Sequence, residues 1–307
     1  MAHINLALGG GGVRGVAHIG VYEELINQGF SISAIAGTSA GGIFGALFAT
    51  GVDLNDLRYR LKSLDDKKFF SRMVNDAPSL MGLSGLIDLL KHFLGNKTFN
   101  DVNVPFAVTS VDLNTNQEII INNGKLVDAV LATVAIPGIF PPRKVDGFEL
   151  VDGGVVDPVP VAVARWLDPH RPVIAVCLHP VPEEWATMPE LHAPIDLPIP
   201  QPILERFERL RISQAMHIFI KATDITMRTT GELRMQLEKP EVILRPDIMK
   251  VGILDHIDPQ KLIDSGKAAV LENLPQIKDS VSWYNQFSRR RKTASPPGRL
   301  LNIRTDN

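Results

Sequence analysis

Three short stretches hold the residues able to do chemistry. Gly37-Thr38-Ser39-Ala40-Gly41 is a G-x-S-x-G pentapeptide between a strand-like apolar run and a helix-like run of small residues. In that context a tight turn sets the serine hydroxyl at the mouth of the following helix, whose dipole favours negative charge. The hydroxyl becomes a useful nucleophile only when a base takes its proton. ALGGGGVRGVAHIG, residues 7–20, places Gly10, Gly11 and Gly12 between another strand and helix. Backbone N–H groups there form an anion cradle, suited to a bound phosphate or to the transient oxyanion of acyl transfer. The third stretch, Glu149-Leu150-Val151-Asp152-Gly153-Gly154, ends a short strand on an aspartate followed by two glycines. It reads equally as a turn aspartate, since Asp-Gly is common in turns.

The nucleotide reading of the glycine loop fails at its second requirement. Gly10, Gly12 and Gly15 match G-x-G-x-x-G, but a dinucleotide site wants an acid about twenty residues further on. That position falls in SAIAGTSAG, which has none. A phosphate P-loop needs Lys and Ser/Thr after its last glycine, whereas Gly15 is followed by Val16 and Ala17. Histidine bases are poorly placed: His179, His192, His217 and His256 sit in no glycine-rich turn after a clear strand. His18 lies one turn into the first helix and reads as packing or capping there. No ligand cluster has metal spacing, and neither a metal nor another cofactor is expected.

Several elements must position these stretches. Ile4–Leu8 and Ile32–Ala36 are expected strands, each running through a glycine turn into a helix, at about Val13–Gln28 and at Ala40–Thr50. That alternation predicts a parallel sheet covered on both faces. Pro105–Asp112 and Glu118–Asn122 read as strands joined by the turn LNTN, and Leu126–Val134 as a helix. Within 65–98, Leu83, Leu86, Ile87, Leu90 and Leu94 fall at helical spacing and are expected to pack on the body; a lipid-touching flap is the alternative. Further on come a strand at Val173–Leu178, a proline-rich loop over 180–202, and a long helix at Leu204–Arg228. A strand at Val242–Arg245 and a closing helix at Pro259–Leu274 complete the domain, taken as residues 1–285. Residues 286–307, with RRRK at 289–292, read as a flexible basic tail.

Composition narrows the partners. The chain has 307 residues, 45% hydrophobic and 21% charged, with a formal net charge of −2. That balance supports a sizeable core and argues against nucleic acid as a partner. Cys177, the single cysteine, cannot form an internal disulfide and suits a reducing compartment. Residues 31–52 form a run of 22 without a charge, but its five glycines and strand-like start favour a buried strand and helix over a membrane span. The N-terminal residues lack the basic start of a signal peptide, so a cytoplasmic protein is expected.

Taken together and in order, these stretches resemble the patatin-like phospholipases. The family's G-G-G-x-[RK]-G corresponds to Gly10-Gly11-Gly12-Val13-Arg14-Gly15, its G-x-S-x-G to Gly37–Gly41, and its D-G-[GA] to Asp152-Gly153-Gly154. ATVAIPGIFPP, residues 132–142, is a fourth similar block. The resemblance implies a three-layer α/β/α sandwich with a mainly parallel sheet. It further implies a Ser–Asp dyad, with Ser39 as nucleophile and Asp152 as general base, and an oxyanion hole at Gly10, Gly11 and Gly12. Arg14, Gly15, Gly37, Gly41, Gly153 and Gly154 are the supporting motif residues. The implied reaction is hydrolysis of a lipid carboxylic ester through an acyl-serine, with transient contact to a membrane surface. A nucleotide-binding protein and a non-enzymatic adaptor on the same fold are the competing expectations.

Overall fold

The computed structural model describes residues 1–63, 82–187, 205–248, 251, 258–282 and 294–301. Its strands are β1 (Ala2–Leu8), β2 (Phe30–Gly37), β3 (Phe106–Asp112), β4 (Gln117–Ile121), β5 (Arg143–Val145), β6 (Phe148–Asp152), β7 (Val173–Val176), β8 (Val242–Leu244) and β9 (Arg299–Leu301). The described α-helices are α1 (Ala17–Asn27), α2 (Ala40–Ala49), α3 (Leu54–Lys62), α4 (Ser84–Leu94), α5 (Leu126–Thr133), α6 (Val161–Leu167), α7 (Glu205–Glu238), α8 (Pro259–Glu272) and α9 (Leu274–Ser280).

The period-two alternation of strand side chains divides the interior into two cores. Ile4, Leu6 and Leu8 of β1 pack with α1, α2, α4, α5 and α8 on one face of the sheet. Ala7, Ala36, Ala107, Ala175 and Cys177 face the other way, onto α6 and Met235 of α7. Helices, sheet and helices make the three-layer α/β/α arrangement. β1 sits centrally, parallel to both β2 and β7, while β2 is parallel to β3 and β7 to β8. Because these strands run one way, Leu8, Gly37 and Val176 all end at the same edge, where open α/β sheets place their sites. β6 is antiparallel to β3 and sets Asp152 opposite Ser110, two residues beyond Val108, which faces Gly37. Four sequence-distant ends therefore meet.

Several elements differ from their expected extent. The first helix starts as a 3₁₀ turn over Gly12–Val16, with the Arg14 N–H on Gly11 O, before α1 begins at Ala17. α7 continues to Glu238 rather than ending at Arg228, held by the burial of Met235 and the Arg234–Glu238 pair one turn apart. Part of the expected basic tail is a strand: β9 pairs in parallel with β4 and buries Leu301. Its Arg-Leu-Leu sequence supplies apolar side chains that the basic residues around it obscure. RRRK at 289–292 and residues 188–202 of the proline-rich loop lie outside the described residues. α4 buries Leu86, Leu89, Leu90 and Leu94 against the body, as expected of a packing helix. The uncharged run at 31–52 is β2 and α2, and no described helix is long and apolar enough to cross a membrane.

Candidate active site

Ser39 holds a backbone conformation that a side-chain-bearing residue avoids, with φ 54° and ψ −123°. Such strain costs about 1–3 kcal/mol and persists only where the surroundings fix it. Here they do so from four sides. The Ser39 N–H donates to Thr133 Oγ1 at 2.9 Å, and the Thr38 N–H donates to Leu8 O at 3.1 Å. The Thr38 hydroxyl donates to Asp157 O at 2.8 Å and lies 2.7 Å from Thr109 Oγ1. The turn closes through Gly41 N–H on Thr38 O. Its tightness dictates the flanking residues: a Cβ at Gly41 would lie 1.9 Å from Leu8 O, and one at Gly37 2.3 Å from Gly41 O.

The glycine loop crosses directly over this turn. A Cβ at Gly10 would stand 3.1 Å from Ser39 Cβ. The Gly10 N–H is already donated to Pro158 O at 3.0 Å, whereas Gly11 and Gly12 line a cavity together with Ser39. Of the three glycines singled out in the sequence, two thus present backbone to the cavity and one braces the loop. Gly15 packs on Ala40 of α2, where an added Cβ would fall 2.6 Å from the alanine Cβ. Arg14 is buried behind the loop, its Nε donating to Val251 O at 2.6 Å and its Nη1 to Leu178 O at 3.5 Å. His18 packs there too: burial pushes its pKa down to about 4, so the neutral ring's Nε2–H donates to Gly9 O at 2.9 Å.

Asp152 is fully buried. Its Oδ1 accepts the Gly154 N–H at 2.7 Å, and its own N–H donates to Ala135 O at 2.9 Å. Oδ2 is buried and, apart from the nearby Ser39 hydroxyl, has no hydrogen-bond partner among the described residues. Desolvation pushes the carboxyl pKa up to about 7; the Ser39 hydroxyl and the Gly154 N–H oppose the rise by favouring the anion. A carboxylate poised near neutrality is a far better base than one in water. The two glycines after it admit other groups, a Cβ at Gly153 falling 2.2 Å from Thr109 Oγ1 and one at Gly154 2.3 Å from Met227 Cε.

The segment after this aspartate joins the other two loops. Asp157 O holds Thr38 and Pro158 O holds Gly10, so neighbouring carbonyls support the serine turn and the glycine loop. The Asp157 side chain is fully buried and pairs with Arg234 of α7 at 3.2 Å. Arg234 also meets Glu118 at 3.1 Å and Glu238 at 2.9 Å. Burial, and then the two nearby glutamates, hold the Asp157 carboxyl well above the usual range against the pull of Arg234. In the sequence its one signal is its place in DGGVVDP, five residues after Asp152.

The cavity itself has two kinds of wall. Ile136, Pro137, Ile139, Phe219 and Met227 give apolar lining, and His179, Thr223 and Asp224 polar lining. His179, set aside in the sequence, thus lines the same cavity as Ser39. It is no general base: burial, reinforced by Arg14, Arg228 and Arg245, lowers its pKa to about 3. His192, His256 and the side chain of His217 lie outside the described residues. Among the described residues, no three His, Cys, Asp or Glu side chains are grouped to hold a metal ion.

Comparison with known proteins agrees with this geometry at the level of family and fold. The family model described as patatin-like phospholipase matches residues 6–165. An uncharacterized NTE family protein of Mycobacterium tuberculosis is 30% identical over 286 residues, 91% of this chain and 47% of that protein. Lysophospholipase NTE1 of Saccharomyces cerevisiae is 30% identical over 174 residues, 53% of this chain and 10% of its own length. The chain thus spans less than half the length of these curated relatives. The crystal structure of VipD from Legionella pneumophila superposes with a TM-score of 0.54 at 12% identity, over 91% of this chain and 67% of VipD, a likeness of fold. With the family model covering just over half of its residues, the chain belongs to the patatin-like phospholipases.

Proposed function

We propose that this chain is a serine hydrolase of lipid carboxylic esters that works through a Ser39–Asp152 dyad. One observation carries the reading: a strained serine opens onto a largely apolar cavity, beside a buried carboxyl raised to about 7. Asp152 Oδ2 takes the Ser39 Oγ proton as Oγ bonds to the ester carbon and the carbonyl π electrons move onto oxygen. The N–H groups of Gly11 and Gly12 hold that oxyanion, each such donor being worth about 100- to 1,000-fold in rate. Gly10 contributes by close approach to Ser39, its own N–H serving Pro158. Collapse of the intermediate breaks the ester C–O bond, and the alkoxide leaves with the proton from Asp152. Water then attacks the acyl-Ser39 with Asp152 again as base, releasing the fatty acid.

The apolar wall suits the acyl chain. Phe219 belongs to that wall and stays 45% exposed beside Ile218, at 67%, so this end of α7 offers apolar surface toward a membrane or micelle. The name of the yeast relative fits the same substrate class. Labelling with a fluorophosphonate tests the reading: covalent modification of Ser39, lost in Ser39→Ala, is expected. A folded protein left unlabelled, or a p-nitrophenyl ester turned over equally by wild type and Asp152→Ala, would sink it.

A further inference from the structure

Asp157 does not line the cavity, yet it touches every stretch that does the chemistry. Its N–H donates to Gly153 O, next to Asp152, at 2.8 Å. Its carbonyl accepts the hydroxyl of Thr38, next to Ser39, at 2.8 Å. The carbonyl of the following residue, Pro158, takes the Gly10 N–H of the glycine loop at 3.0 Å. Thr38 Oγ1 is held a second time, 2.7 Å from Thr109 Oγ1 of β3. Residues 153–158 are therefore the common neighbour of the base, the nucleophile turn and the anion cradle.

The first side chains of that segment do little to hold it. It opens on Gly153 and Gly154, and the valines that follow, Val155 and Val156, are half-buried. The Asp157 side chain is fully buried and reaches Arg234 of α7 at 3.2 Å. The same guanidinium meets Glu118 of β4 at 3.1 Å and Glu238 at 2.9 Å, and Glu238 also accepts the Ala162 N–H of α6 at 2.8 Å. One side chain thus fastens the segment to three elements.

A buried carboxyl is costly unless it is paired, and the dyad chemistry has no use for this one. One guanidinium faces three carboxyls, and Asp157 and Glu118 lie within hydrogen-bonding reach of each other. Burial and the two glutamates favour the protonated form of Asp157, which can donate to Glu118 while staying against Arg234. An amide of the same shape would keep both contacts. A methyl group would lose both.

We propose that Asp157 is a positioning residue for the hydrolysis, its carboxyl acting through Arg234 and Glu118 to set Ser39, Asp152 and the glycine loop in mutual register. This rests on the ester-hydrolase reading above and adds to it a residue that touches neither substrate nor dyad. Its signature is loss of rate with binding retained, because the apolar lining of the cavity belongs to other residues. Misplacing reacting groups by about 1 Å can cost about 100-fold in rate.

The test measures kcat and KM for p-nitrophenyl butyrate, and the rate of fluorophosphonate labelling of Ser39, in Asp157→Ala and Asp157→Asn. Circular dichroism and melting temperature establish that each variant is folded. In Asp157→Ala, kcat and the labelling rate should fall together by about 10- to 100-fold, with KM changed by less than about threefold. Asp157→Asn should stay within about threefold of wild type in all three quantities. A carboxyl that serves stability alone would lower the melting temperature of Asp157→Ala and leave its kcat and labelling rate at wild-type values. That result overturns the proposal, as does an Asp157→Asn variant as slow as Asp157→Ala. If Asp157→Ala yields no folded protein, Asp157→Ser, whose hydroxyl is too short to reach Arg234, takes its place with the same outcomes. Wild type that fails to label removes the hydrolase reading itself, whereas normal labelling in wild type and both variants removes the positioning role alone.

Discussion

Residues 2–167 and the stretch from α7 onward build the same cavity by opposite means. The first part works by backbone proximity: the glycine loop, the serine turn and the Asp152 strand approach to distances at which a single Cβ collides. The second works by long side chains, with Arg228, Arg234 and Arg245 ion-paired along or just beyond α7 and apolar groups left in solvent. Contacts of the first kind accept one residue type, since only glycine lacks the offending atom. Contacts of the second kind tolerate several, because a long side chain can find another partner. The family model ends at residue 165, where the first kind of construction gives way to the second.

Four substitutions test that division, from the largest effect to the smallest. Gly41→Ala places a methyl 1.9 Å from Leu8 O, with backbone on both sides. A loss of at least about 4 kcal/mol, or failure to yield folded protein, is expected in a denaturant titration. A mild effect would mean that proximity is not what fixes the first half. Arg234→Met comes next, because it strands the buried Asp157 and the half-buried pair Glu118 and Glu238 without their cation. About 3–5 kcal/mol should be lost, more at high pH where those carboxyls must ionise, as followed by melting temperature against pH.

Asp152→Asn gives a smaller change in stability, but one with a diagnostic sign. The wild-type carboxyl rises from 3.8 to about 7 on folding, so its native state binds the extra proton between those values. The stability it contributes is complete below 3.8 and is lost as pH rises through about 7. Asp152→Asn should therefore be more stable than wild type at pH 8 and little different at pH 4. Wild-type kcat/KM should run the other way, climbing with pH to a plateau above about 7. An acid limb centred near 4 would remove the buried-base assignment. Last, Leu237→Gln on the exposed face of α7, where Leu237 is 79% exposed, should change stability by no more than about 0.5 kcal/mol. A loss of several kcal/mol there would erase the contrast between the halves.

How legible each part was in the sequence follows the same line. Ser39, Asp152 and the glycine loop stood out because strained or crowded backbone restricts residue type, leaving glycine at fixed spacing as a trace. Which glycines line the cavity did not, since the path of the loop depends on Pro158 O, distant in the chain, taking the N–H of Gly10. Thr109 and Thr133, which pin the serine turn, are ordinary strand and helix residues until the sheet brings them together. His179 looks dispensable in the sequence for the same reason: its surroundings are made by Arg14, 165 positions before it, and by Arg228 and Arg245, 49 and 66 positions after it. The length of α7 and the pairing of β9 likewise depend on tertiary partners rather than local propensity.

The adjacent carbonyls of Asp157 and Pro158 have a mechanical consequence. Two consecutive peptide units hold Thr38 and Gly10, so the two loops are tied to one short segment. Arg234 of α7 pairs with the side chain of Asp157, so the helix, the serine turn and the glycine loop are fastened to the same segment. Under the proposed hydrolase reading, that short segment is the hinge through which the exposed end of α7 and the serine turn share one support.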